Sequence, residues 1–107
     1  MSRIARYGKL TAQDGRGREL ADLLLAAAGH LEAEPGCELY LVNRQADAPD
    51  VIWVTELWRS QADLDAVLEQ IKGSPDTAAA MKLIQAAETI ALDLLGGKGP
   101  ADIAGTA

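Results

Sequence analysis

The most constraining feature of the chain is the run Val51-Ile52-Trp53-Val54-Thr55-Glu56-Leu57-Trp58. β-Branched and aromatic side chains dominate it, which is the composition of a strand. With a period of two, Ile52, Val54, Glu56 and Trp58 share one face, and Val51, Trp53, Thr55 and Leu57 share the other. Both faces are mostly apolar, so both require a cover. Helices of the same chain can supply one. A chain of 107 residues is about one domain long, so the first candidate for the other cover is a second copy.

The flanking segments read as follows. Residues 3–12 alternate, with Ile4, Arg6, Gly8 and Leu10 against Arg3, Ala5, Tyr7 and Lys9, as a strand does. A turn over 11–17 leads to a helix over 16–33, for which Asp14 is the expected N-cap. Its apolar residues Leu20, Leu23, Leu24, Ala27, Ala28 and Leu31 recur at helical spacing, and Pro35-Gly36 stop it. Residues 37–44 form a second strand, with 45–50 as the connection to the third. Ser60, paired with Asp63, caps a helix whose stripe is Leu64, Val67, Leu68 and Ile71 and which ends at Gly73. Ser74-Pro75 opens a short helix over 76–84. Residues 85–95 suit a helix by propensity and a strand by the alternation of Ile90, Leu92 and Leu94. Read as a strand, the last segment completes a β-α-β-β-α-β order. That is the ferredoxin-like α+β arrangement, an antiparallel sheet with helices on one face. Residues 96–107, rich in Gly and Ala, read as a tail.

Composition narrows the function. A formal net charge of −6 and a sequence pI near 4.6 point away from nucleic acid and from anionic membrane surfaces, both of which select basic proteins. No stretch reaches the length of a membrane span. A single cysteine, Cys37, permits no internal disulfide and fits the cytoplasm. One His and one Cys without clustered carboxylates predict no metal site. Gly15-x-Gly17 is too short to seat a flavin or nicotinamide cofactor, so none is expected. His30, near a helix C-terminus, fits a favourable interaction with the helix dipole.

Glu34-Pro35-Gly36-Cys37, and then Thr55-Glu56-Leu57-Trp58-Arg59-Ser60-Gln61-Ala62-Asp63-Leu64, give the chain a resemblance to the antibiotic-biosynthesis-monooxygenase superfamily. The first motif resembles the family's turn between helix one and strand two, the second its Glu-x-Trp strand end followed by an acidic helix. The likeness runs over residues 3–95. It implies one domain over 1–95 and a homodimeric α/β barrel, with a final strand over 88–95 that reaches toward the partner. It also implies oxidation of a phenol- or hydroquinone-type aromatic by O₂ to a quinone, without a cofactor. The family commonly carries a histidine where this chain has Val67. No histidine follows in 72–87, so haem degradation is not expected.

The resemblance turns the Ile52–Trp58 face toward a pocket under the helices. Trp58 would then be an aromatic wall and Glu56 a base at its edge; the structural alternative is a core Trp58 and a paired Glu56. Tyr7, Asn43, Val54 and Val67 are the expected substrate-binding residues. Tyr40 and Asn43 lie on opposite faces of their strand, so at most one of them shares the pocket. Trp53 falls to the dimer interface. The alternative function is a non-catalytic dimeric barrel that binds a small hydrophobic ligand or acts as an accessory protein.

Overall fold

The computed structural model describes residues 3–99. Four strands, β1 (Ile4–Ala12), β2 (Cys37–Gln45), β3 (Ala48–Trp58) and β4 (Ile84–Asp93), alternate with helices α1 (Gly17–Leu31), α2 (Gln61–Ile71) and α3 (Pro75–Leu83). The strands form one sheet in the order β2-β3-β1-β4, with every pair antiparallel. This is the expected ferredoxin-like α+β fold with a third short helix. Residues 85–95, ambiguous by local preference, are a strand as far as Asp93. The ladder with β1 outweighs the helix propensity of Ala, Glu and Leu. The expected tail lies outside the described residues from position 100 onward.

The connection expected over 45–50 shrinks to a two-residue turn, because β2 runs to Gln45 and β3 starts at Ala48. Pro49 is tolerated there: it sits in the irregularity between the Arg44–Ile52 and Gln45–Ala48 pairs, where no ladder bond needs its missing N–H.

Helix starts divide into local and tertiary cases. Ser60 accepts from Asp63 N at 3.2 Å and Ser74 from Thr77 N at 3.1 Å, so α2 and α3 are capped by their own sequence, as expected. The N-terminus of α1 differs. Asp14 does not cap it; Arg16 occupies the cap position and makes no side-chain capping bond. The carboxylate of Asp50, from β3, accepts from Gly15 N at 2.8 Å and Gly17 N at 3.0 Å. Gly15 makes this possible by taking φ +77°. Gly17 lies so close to β3 that a Cβ there would sit 2.7 Å from the Asp50 Cα. Asp50→Ala should therefore cost about 1–2 kcal/mol, the size of a lost cap, read as a lower urea midpoint. An unchanged midpoint would mean that the cap contributes nothing.

The register writes the helix-covered face as rows across β1, β3 and β2. They run Ile4–Trp58–Cys37, Arg6–Glu56–Tyr40, Gly8–Val54–Val42 and Leu10–Ile52–Arg44. One apolar cluster, Ala12, Leu20, Ile52 and Leu83, binds α1 and α3 to the lower rows. A second, Trp58, Leu64 and Val67, binds α2 to the top row. Among the described residues the opposite face carries no helix. There Tyr7, Leu41, Trp53 and Ile90 are exposed; Leu41, Thr55, Tyr7 and Ile90 form one row, and Trp53 stands in the next between Asn43 and Lys9.

Candidate functional site

The Arg6–Glu56–Tyr40 row is polar and lies between the two apolar clusters. Glu56 is its centre. Its side chain is only 13% exposed, and its Oε1 accepts from Trp58 Nε1 at 2.8 Å. The guanidinium of Arg6 approaches the same oxygen at 3.9 Å. Among the described residues no hydrogen bond reaches Oε2. Trp58 cannot rotate to release Glu56, because its ring is 2% exposed and packs on Leu64 and Val67. A carboxylate in this position is held in one orientation with one oxygen free.

Tyr40 closes the row on the β2 side. Its phenol is pushed up to about 12, first by burial and then by the nearby Glu56 carboxylate, so it is a proton donor at any ordinary pH. Its hydroxyl makes no hydrogen bond to the described residues. Among the described residues no polar side-chain atom is both buried and unpartnered, so the hydroxyl reaches solvent. Tyr40 lines a groove of about 480 Å³ between the C-terminal half of α1 and β2, bordered also by Leu25, Ala28, Gly29, Glu32 and Cys37. Burial raises the Cys37 thiol above its usual value, and neighbouring glutamates add to the effect. It therefore stays protonated, and it is half-buried on the groove wall.

The turn that sets this groove is Glu34-Pro35-Gly36-Cys37. Gly36 O accepts from Arg59 N at 2.8 Å. A Cβ on Gly36 would stand 2.6 Å from Asp63 Cγ, so only glycine lets the turn meet α2. Asp63 is itself fixed by two bonds from Arg59, at 2.9 and 3.0 Å, and one from Ser60 at 2.8 Å. The two sequence motifs, far apart in the chain, thus form one joint.

Of the residues expected to form a site, the fold gathers Glu56, Trp58, Val54 and Val67 on the helix-covered face. Val54 and Val67 are buried there. Tyr7 and Asn43 are placed on the opposite face, in the rows of Thr55 and Trp53, and so cannot share a pocket with Glu56. The physical reason is the parity of the strands: odd-numbered positions of β1 and β3 turn away from the helices. On β2 the irregularity between Cys37 and Leu39 sets the phase that brings Tyr40 to Glu56. Alternation had separated Tyr40 from Asn43 but could not say which of them meets β3's carboxylate.

On the open face, Tyr7, Lys9, Trp53, Glu88 and Ile90 border a smaller hollow of about 270 Å³. The Lys9 ammonium lies 5.7 Å from the Trp53 ring centroid, and Trp53 Nε1 donates to Gln45 Oε1 at 2.9 Å. Among the described residues no group of three or more potential ligands could hold a metal ion.

Residues 3–82 match the antibiotic biosynthesis monooxygenase family. The chain belongs to that family. Solved structures agree. A candidate antibiotic biosynthesis monooxygenase from Chloroflexus aurantiacus J-10-fl superposes with a TM-score of 0.80 at 31% identity, covering 92% of this chain and 98% of its own. A protein of unknown function from Nitrosomonas europaea gives 0.78 at 27% identity, with 94% and 97% covered. A further candidate monooxygenase, from Deinococcus radiodurans, gives 0.76 at 24% identity over 90% and 94%, and shows the shared fold. No curated protein matches. Family membership supports a monooxygenase-like role. No described helix is long and apolar enough to cross a membrane.

Proposed function

We propose that the protein is a cytoplasmic, homodimeric monooxygenase that oxidises a phenol- or hydroquinone-type aromatic with O₂, the substrate supplying the electrons. In this reading Glu56 removes a ring-hydroxyl proton. The electron-rich anion then reduces O₂, one oxygen atom enters the ring as the new quinone carbonyl, and the other leaves as water. For a phenol the balance is phenol plus O₂ giving quinone plus water. The protein has to bind, exclude water and move protons.

The observation that carries the reading is the Glu56 carboxylate. It is held by Trp58 at 2.8 Å in a face that is otherwise mostly apolar, with one oxygen open to a substrate proton. Val54 and Val67 keep that surface dry, and Trp58 acts by holding the base. Tyr7 and Asn43 belong, in the same reading, to the sheet face that a second copy covers. The test is oxygen uptake on adding a hydroquinone. Glu56→Gln keeps the shape and the Trp58 contact but cannot take a proton, and should lower kcat by about 10²-fold or more. An unaltered rate would remove Glu56 from the chemistry.

A non-catalytic barrel that binds a hydrophobic ligand is the second reading. It is favoured by the packing of the Trp58 ring, which leaves little aromatic surface for a substrate. Ligand binding without oxygen uptake by any hydroquinone would decide for it.

A further inference from the structure

The groove between α1 and β2 has features that the oxidation chemistry does not use. At about 480 Å³ it falls within the usual range for small-molecule sites, roughly 300–1,000 Å³. Leu25, Ala28 and Leu31 of α1 line its apolar side. Its floor offers a tyrosine whose ring is largely buried and whose hydroxyl has no protein partner among the described residues. An unpaired phenol hydroxyl is available to donate to a ligand oxygen.

The charges around it select among ligands. Glu32 and Glu38 line the groove, Glu34 is close enough to act on Cys37, and Glu56 is close enough to act on Tyr40. Glu38 is tied to Arg3 by Nε and by Nη2, the latter at 3.0 Å. Arg6 is held toward Glu56. The surroundings of the hydroxyl are thus acidic on balance, which penalises an anion and leaves an uncharged ring acceptable.

We infer that this groove binds a small uncharged aromatic compound bearing a carbonyl or neutral phenol oxygen, and that Tyr40 donates the hydrogen bond to that oxygen. The inference rests on the proposed function for the class of ring. It adds the place of binding, the donor, and a preference for the neutral form. Glu56 is not among the residues that line the groove, so this recognition is a step apart from the proton transfer.

The test uses the intact protein and 2,3-dimethyl-1,4-naphthoquinone, whose blocked ring carbons spare the Cys37 thiol from addition. Amide chemical shifts should move at residues 28–32 and 37–41. Tyr40→Phe keeps the ring and should weaken binding about tenfold, the effect of one lost hydrogen bond at the upper end of its range. Gly29→Trp should abolish binding; a Cβ at Gly29 meets nothing within 4 Å, so the new side chain builds outward without a backbone clash. Melting curves show whether each variant is folded. 1-Naphthoate, an anion of similar size, should bind at least about tenfold more weakly than the quinone, as expected for an uncompensated like charge nearby. Wild-type affinity in both variants, shifts confined to the Tyr7–Trp53 hollow, or no binding at the solubility limit would each overturn the inference. Tyr40-dependent binding without oxygen uptake by any hydroquinone leaves the groove standing and removes the oxidation. Oxygen uptake that is equal in wild type, Tyr40→Phe and Gly29→Trp does the reverse.

Discussion

Trp58→Ala is expected to lose about 3–5 kcal/mol of folding stability, the cost of emptying a large aromatic site in a core. Small domains hold only about 5–15 kcal/mol in total, so this variant stands close to unfolding. The ring is 2% exposed and is the largest fully buried side chain among the described residues. It fastens α2 through Leu64 and Val67, and α1 through Leu31. The indole N–H also fixes Glu56. Loss of activity in Trp58→Ala would therefore say nothing about catalysis. Trp58→Phe separates the two roles: it keeps most of the volume and deletes the N–H. It should remain folded, with a stability loss of about 1–2 kcal/mol, and turn over hydroquinone at least about tenfold more slowly because the base is no longer aimed. Stability comes from urea unfolding and the rate from oxygen uptake. A Trp58→Phe protein with the wild-type rate would show that the indole N–H does not position Glu56.

The second large effect concerns the bare side of the sheet. Leu41 is 50% and Ile90 57% exposed, with Tyr7 and Trp53 beside them. If two copies cover one another through this surface, Leu41→Glu combined with Ile90→Glu places four carboxylates in the shared interface. Each charge taken out of water unpaired costs several kcal/mol. The dimer should then weaken by at least about 100-fold, which equals roughly 2.7 kcal/mol. Sedimentation should show the mass falling to that of one chain, and the thermal midpoint should lose its dependence on protein concentration. The helix-covered face is untouched, so the Asp50 cap and the two clusters remain. A wild-type protein that sediments as a monomer, or a charged variant that stays associated, would dispose of the covered-sheet reading.

These expectations differ in origin, and the difference has a physical basis. Periodicity by itself determined the three clear strands, the two main helices and the caps at Ser60 and Ser74, because each depends on neighbours within four residues. It also determined that Val51–Trp58 carries apolar side chains on both faces. The end of the chain was beyond it. Residues 85–95 suit a helix by propensity and a strand by alternation, and only the ladder with β1 makes them a strand as far as Asp93. The cap of α1 likewise eluded local reading, since Asp50 is brought from a different strand and Asp14 is left idle.

The site followed the same division. Glu56 and Trp58 stand two apart on one strand, so their shared face was legible in the chain. Tyr40, Arg6 and Glu56 come from three strands, and their meeting depends on register, which the irregularity at Cys37–Leu39 shifts by one residue. A one-residue slip exchanges the faces of a strand. That is why, on β2, Asn43 is turned from the helices and Tyr40 toward them, whereas Tyr7 is turned away by the parity of β1 alone. Residue order set which side chains could lie side by side along each strand; the pairing between strands chose which of them came together.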